Sequence, residues 1–416
     1  MPPLPDRAQH RRRAGVRAGG VLAAVCSFAL AAAACGAPSS SGGGTPQPAS
    51  SIPDKPSSPV TINVLDVAGN LQLSQGMLDD FTKAHSDIIS KVTTSKATAP
   101  ELAGKIKAQQ DAGQLQIDLV LTGTDGLSAG IAGGLYQPIT DYSDRLGNMK
   151  NYTDPAAKMQ TLAQGYGVEL VEYPSGPLLE YNPKTVPNPP TSTDELLDWA
   201  KQHPGKFAYA VPKNSGPGRT FLMGLPYLLK DKDPKDPVNG WDNTWKYLKD
   251  LGQYVTYYPS GTTENMKNLG QGTADVVMST TGWDINPRVL GTVPKDFKIG
   301  TLKGFHWVND AQYAVVPKGV GADKLAAILQ LLQFMLTPKE QANAYDKGYF
   351  YPGPSVKDVT LDMAPADSQQ AIKDFGRPEY DDLIKNNPNE QSLPADQQVA
   401  AFDKWDREIG AGKLKK

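Results

Sequence analysis

The densest chemistry in this sequence sits in loops that directly follow short apolar runs. In Ser215-Gly-Pro-Gly-Arg-Thr-Phe221, Gly216 and its neighbours lead into a helical pattern. The unpaired N–H groups of a helix start would there face an acceptor-rich or anionic group. Arg219 would add a charged fork, or else sit solvated in the loop. Thr280-Thr-Gly-Trp-Asp-Ile-Asn-Pro-Arg288 sets Thr281, Trp283 and Asp284 close together. An aromatic face beside a carboxylate and an amide suits a sugar ring or an amine, through stacking plus hydrogen bonds; Trp283 also fits a plain packing role. Two further loops offer hydroxyl, amide and carboxylate groups: Asp66 to Asn70, and Thr122-Gly-Thr-Asp125 with Thr122, Thr124 and Asp125. Each reads equally as ordinary turn chemistry.

Other patterns point to reactions or metals and stop short. Gly126-Leu-Ser-Ala-Gly130 spells G-x-S-x-G, and a hydrolase would use Ser128 with a later Asp and His. Four residues separate Leu121, the end of the preceding apolar run, from Gly126, too many for a tight elbow. Beyond the N-terminal region the histidines are His85, His203 and His306, and no glycine-rich oxyanion loop follows any of them. Tyr257-Tyr258 offers paired phenols without an accompanying His or carboxylate pattern for ferric iron. There is no H-E-x-x-H and no paired-Cys spacing, so neither a metal nor a cofactor is implied. In Asp231-Lys-Asp-Pro-Lys-Asp236, Lys235 occupies a position a calcium loop gives to a ligand, and the stretch reads as a solvated loop.

The elements that must position these groups alternate. Val60-Thr-Ile-Asn-Val-Leu65 reads as a buried strand, followed by a helical pattern through Met77, Leu78, Phe81 and Ala84. A strand near 88–94, a helix over 101–112 and a strand at 117–121 come next. That order predicts an α/β domain with a largely parallel sheet, in which ligands sit beyond the carboxyl ends of the strands. Pro189-Pro-Thr-Ser-Thr-Asp-Glu195 opens a second unit, with Ser192 or Thr193 as helix cap. Strand-like 207–211, a helix from about 220, an amphipathic stretch over 241–254 and strand 274–278 follow. A strand at 311–316 leads into an apolar helix, 324–336.

Three groups of segments together resemble the family 1 extracellular solute-binding proteins, the group that includes binding proteins for maltose, polyamines and iron. They are Ile117-Asp-Leu-Val-Leu121 with Gly134-Leu-Tyr-Gln-Pro-Ile139; Leu179-Glu-Tyr-Asn-Pro-Lys184 with Pro189-Pro-Thr-Ser-Thr-Asp-Glu-Leu196; and Tyr313-Ala-Val-Val-Pro-Lys-Gly319 with Thr337-Pro-Lys-Glu-Gln341. The resemblance implies a two-lobed α/β protein of the periplasmic-binding-protein type II fold, with crossovers near 178–182 and 310–316 and the ligand in a cleft between the lobes. Lobe 1 would comprise 59–178 and 312–356, lobe 2 would comprise 182–309, and 357–416 would form a helical tail packed on both. Tyr173, Ser175 and Tyr313 would stand near the crossovers, within reach of the cleft. The implied partners are a small polar solute, a carbohydrate or another neutral or anionic organic molecule first, and an ABC permease with its ATPase. A receptor coupled to a membrane sensor, a polyamine binder and an iron binder remain alternatives.

The N-terminus supplies the address. Arg7, Arg11, Arg12, Arg13 and Arg17 precede a short alanine-rich stretch ending at Cys35, the three-part layout of an export signal. Leu30-Ala-Ala-Ala-Ala-Cys35-Gly36 resembles a bacterial lipoprotein signal, with Ala32 where that pattern usually has Leu; the resemblance implies removal of 1–34 and a lipid on Cys35. Cys26, behind Val25, fits less well. The arginine triplet leaves Sec and twin-arginine export both open. Residues 35–58 are rich in Ser, Gly and Pro and read as a flexible tether. Without 1–34, 37 basic and 43 acidic side chains remain, since five Arg and one Asp are removed from the 42 and 44 of the full sequence. That balance calls for no nucleic acid, and a monomer anchored at the outer face of the cell membrane is expected.

Overall fold

Two helices that border the cleft start at hydroxyl side chains that cap them, Ser215 and Thr280, and this is where the local sequence acts most directly. The computed structural model describes residues 46–67 and 69–414; the export signal, Cys26, Cys35 and the first part of the tether lie outside the described residues. The chain begins with β1 (Val60–Val67), α1 (Leu71–Ala84), β2 (Ile89–Ala97), α2 (Ala99–Asp111), β3 (Leu119–Gly123), α3 (Thr124–Ala132), α4 (Asp154–Gln160) and β4 (Gly167–Gly176). A smaller unit follows: β5 (Leu178–Tyr181), α5 (Thr193–Gln202), β6 (Phe207–Ala208), α6 (Gly216–Leu228), α7 (Asp242–Gly252), α8 (Thr262–Gly270), β7 (Val276–Ser279), α9 (Thr281–Val289) and β8 (Lys298–Gly300). The chain returns through β9 (Trp307–Val315), α10 (Ala322–Met335), α11 (Pro338–Gln341) and β10 (Gly353–Pro354). It ends in α12 (Ala366–Phe375), α13 (Glu379–Asn386), β11 (Asn389–Glu390) and α14 (Ala395–Trp405).

Thr98 and Glu101 form a reciprocal capping box at α2, which satisfies two donors the first turn would otherwise leave open. Ser215 caps α6 by accepting the Gly218 N–H at 3.2 Å, and Pro217 sits in the first turn, where a missing N–H costs nothing. Ser192 caps α5. Asp231, expected on a solvated loop, is instead buried and accepts from Asn243 N, Thr244 N and Thr244 Oγ1 at the start of α7. The helix start offers unpaired N–H groups, which hold the carboxylate more firmly than water does.

These elements build two sheets. The larger runs β10-β4-β9-β3-β1-β2, with β11 alongside β9, and the smaller runs β6-β7-β5-β8. The larger sheet is mixed where a largely parallel one was expected: β2, β1 and β3 run parallel, while β9 is antiparallel to both β3 and β4. The reason is connectivity, because β4 carries the chain out of this lobe and β9 brings it back. Strands β3, β4 and β9 are buried along their whole length, since helices cover both faces.

The chain changes sheets at Pro177 and again within 301–306. Both points precede the expected 178–182 and 310–316, because β9 pairs with β4 as early as Val308. The tail forms a third bridge: α14 packs on α3 through Gln398, which donates to Thr124 O and Ser128 Oγ. Its last residue, Trp405, packs against Tyr209 and Tyr258 of the smaller unit. The stretch read as a flexible tether is fastened over its described half. Gln47 exchanges hydrogen bonds with Gln137, Ile52 is buried in the lobe 1 core, and Asp54 O accepts from Arg145 and Gln330. Among the described residues no helix is long and apolar enough to cross a membrane.

Candidate functional site

Strands β1, β2 and β3 and the smaller sheet all direct their following loops into one cleft. Its outer part, ≈650 Å³, is lined from lobe 1 by Gly69, Gln72, Ala97, Thr98 and Tyr349. From lobe 2 it is lined by the starts of α8 and α9, including Thr262, Glu264, Lys267, Trp283 and Asn286. It narrows to a recess of ≈30 Å³ walled by Gly123, Asp125, Tyr173, Ser215, Gly216, Arg219, Gln312 and Phe350, with Asn214, Thr262 and Trp283 common to both parts. A cleft of this size with a few convergent polar groups and an aromatic face accepts a small organic molecule.

The recess is organised by one guanidinium. Arg219, on α6, donates from Nη1 to Asp125 Oδ2 at 2.9 Å and from Nη2 to Asp310 Oδ2 at 2.5 Å, and it is 3% exposed. Burial works against its charge, but Asp310 and Asp125 more than offset that and hold its pKa above the ordinary value. Asp310 also accepts from Tyr173 Oη at 3.0 Å and Thr124 Oγ1 at 3.0 Å. Tyr173 stacks on Phe350, and burial followed by the Asp310 charge pushes its phenol well above its usual pKa. Ser215 shares a hydrogen bond of 2.8 Å with Thr262, joining the starts of α6 and α8. Trp283 meets Tyr349 edge to face.

The residues named from the sequence fall into two groups. Asp125, Tyr173, Ser215, Gly216, Arg219 and Trp283 converge on the recess, with Thr124 directly behind Asp310. The others lie elsewhere. Asp66 is buried, accepts Leu71 N at 2.9 Å and has its pKa raised by that burial. Asn70 donates to Val67 O, and Tyr313 donates to Met159 O. Thr122 and Ser175 are buried within strands, and Thr281 donates to Tyr351 O. Asp284 is held away from the cleft by Arg288, Arg377 and Tyr380. In each case a neighbouring backbone or side-chain group takes the polar atom or the strand encloses it, a partner choice that spacing alone does not reveal.

Sequence reasoning missed Thr98, Thr262, Asn286, Gln312, Tyr349 and Phe350. The capping pattern Thr98-Ala-Pro-Glu101 directly after β2 was a usable signal for the first; the aromatic run Tyr349-Phe350-Tyr351 was one for the last two. Asn286 Nδ2, Gln312 Oε1 and Arg219 Nε are buried with no partner among the described residues.

Ser128 lies inside α3, donates to Thr124 O at 2.7 Å and accepts from Gln398 at 2.9 Å, so its hydroxyl is enclosed between two helices. His85 packs at a tilt against Phe81, His203 stacks on Trp199, and His306 faces Glu390. Tyr258 packs among Tyr209 and Trp405, while Tyr257 accepts from Asn268. Among the described residues no three His, Cys, Asp or Glu side chains cluster as metal ligands.

Residues 76–374 match the family model described as bacterial extracellular solute-binding protein. No curated protein sequence matches. Among solved structures, an ABC transporter protein from Clostridium perfringens is similar at 15% identity and TM-score 0.60, over 85% of this chain and 99% of that one. A periplasmic binding protein from Actinobacillus pleuropneumoniae with fructose-6-phosphate bound aligns at 15% identity and TM-score 0.58, over 85% of this chain and 99% of that one. A binding protein from A. tumefaciens R10 in complex with agropinic acid aligns at 19% identity and TM-score 0.55, over 84% and 96%. At these identities the likeness is one of fold: two α/β lobes with a cleft between them.

Proposed function

The chain belongs to the bacterial extracellular solute-binding proteins, and from that premise we propose that it captures a small polar organic solute in the cleft and hands it to an ABC permease and its ATPase. The observation that carries this reading is the cleft itself, ≈650 Å³ in extent, lined by both lobes and ending on Trp283 and the Arg219 recess. The lining sets hydroxyl and amide groups of Gln72, Thr98, Asn214, Thr262 and Asn286 beside apolar side chains and an indole face, which favours a carbohydrate or another neutral or anionic organic solute. The ligands of the two relatives above, fructose-6-phosphate and agropinic acid, are of this general kind.

Binding would proceed without chemical conversion. Two strand crossings, at Pro177 and 301–306, join the lobes, and hinge closure over a solute needs only that the closed form bind it better than the open one. A lipid on Cys35 would hold the monomer at the outer face of the membrane, and the permease with its ATPase would recognise the closed form.

Thermal-shift screening of the chain from Gly36 onward against sugars, sugar acids, organic acids, amines and metal ions tests the reading. A sugar or organic acid is expected to raise the melting temperature. An unchanged melting temperature across the whole panel would sink it. Metabolic labelling with palmitate tests the anchor, with label expected in the wild type and lost in Cys35→Ala.

A further inference from the structure

Arg219 is neither solvated nor left free to pair with an anionic solute. Both terminal nitrogens are taken by Asp125 and Asp310, and the three residues come from α6, α3 and β9. Glycines allow this close fit. A Cβ on Gly216 would stand 3.3 Å from Asp310 Oδ2 and 3.9 Å from Nη2 of Arg219, and one on Gly123 would stand 2.9 Å from Asp125 Oδ1 and 3.6 Å from the same Nη2. Two carboxylates flanking a planar cation are what a pocket would present to an amine or guanidine solute. Here the cation belongs to the chain.

We propose that Arg219 is a built-in counter-cation that sets the specificity of the cleft. It fills the place that the ammonium or guanidinium end of a solute would take, and the recess is then walled by Arg219 and Gln312, whose Nε and Oε1 are buried and without a partner among the described residues. An unpartnered donor and an unpartnered acceptor in the same wall match a hydroxyl, which is both. The solute is therefore uncharged and hydroxylated at the end that enters the recess. Diamines and guanidines are rejected because a second cation would meet Arg219 and find Asp125 and Asp310 already paired with it. The inference rests on the cleft being the solute site, and it deepens that reading by naming the class.

The test uses the full chain, with putrescine, ethylguanidinium chloride and a panel of sugars as probes, read by calorimetry and by melting temperature against sodium chloride of equal ionic strength. Wild type is expected to ignore both cations. Arg219→Ala is expected to bind ethylguanidinium at least about tenfold more tightly than wild type, and the double variant with Asp125→Asn should lose that gain. If Arg219→Ala is too unstable to titrate, ethylguanidinium should restore its melting temperature where sodium chloride does not. Putrescine binding by wild type would overturn the proposal, as would an Arg219→Ala protein that responds equally to ethylguanidinium and sodium chloride. A wild type that binds no solute of any class, beside a variant that gains the cation, would instead overturn the solute-binding reading and leave the counter-cation assignment standing.

Discussion

Two buried arginine–aspartate clusters lie in this molecule with inverted composition. In the recess one arginine, Arg219, sits between Asp125 and Asp310, partners 94 and 91 residues away in sequence. In the second, one aspartate, Asp284, sits between Arg288, four residues on, and Arg377, with Tyr380 completing it at 2.7 Å. The difference lies in what each leaves over. Asp284 accepts bidentate pairs from both arginines, and Arg288 and Arg377 spend further donors on Phe375 O and Phe297 O. The Arg219 cluster leaves Nε buried and without a partner among the described residues, on a side chain that walls the recess. Similar side chains thus serve as a closed staple in one place and as a cleft wall in the other.

The sharpest way to break this comparison is Asp284→Ala, which takes from two buried guanidinium groups the carboxylate that both of them bind. A loss of about 3–5 kcal/mol in urea unfolding is expected, with solute affinity of the folded fraction unchanged; an altered affinity would mean the staple reaches the cleft. Glu172 supplies a third case, a buried carboxylate whose partner is the Asn309 amide at 2.6 Å and not a cation. Burial pushes its pKa up to about 8 from 4.5, so the folded state holds a proton that the unfolded chain releases. Its stabilising contribution is full below about pH 4.5 and is lost as pH rises toward 8. Glu172→Gln should flatten the fall in melting temperature across that window and melt higher than wild type at pH 8.

Trp283→Ala should weaken solute binding by about 10- to 100-fold while moving stability by only about 1 kcal/mol, since the indole is partly exposed. Asp125→Asn keeps the Asp310 pair, so about 1–2 kcal/mol of stability is expected to go, but unlike Asp284→Ala it should change the solute affinity. Isothermal titration of the two variants side by side separates wall from staple. The smallest effect belongs to Ser128→Ala, about 1 kcal/mol from two lost hydrogen bonds, with solute binding intact.

The sequence made the alternation of β1 to α3 legible because β-branched runs and caps act locally. It also located the loop carrying Arg219, since Gly, Pro and Ser at a helix start have a positional meaning of their own. It did not reveal that Arg219 pairs with Asp310, because β9 reaches that position only after the chain has built a second lobe. Asp284 misled for the opposite reason. Its loop looks like a site, but the residues that occupy it, Arg377 and Tyr380, arrive from a polar tail with no pattern to announce them. The mixed sheet order escaped for the same reason as Asp310, as it depends on the return strand.

The docked stretch ahead of β1 bears on mechanics. Gln47, Ile52 and Asp54 are fixed to lobe 1 and Ser57 to Asp323 of the same lobe. A pull on the chain from before Gln47 is therefore received by lobe 1 alone. In the hinge closure proposed above, that lobe would be the stationary jaw, and the smaller sheet, with Arg219 on α6 and Trp283 on α9, would be the one that swings.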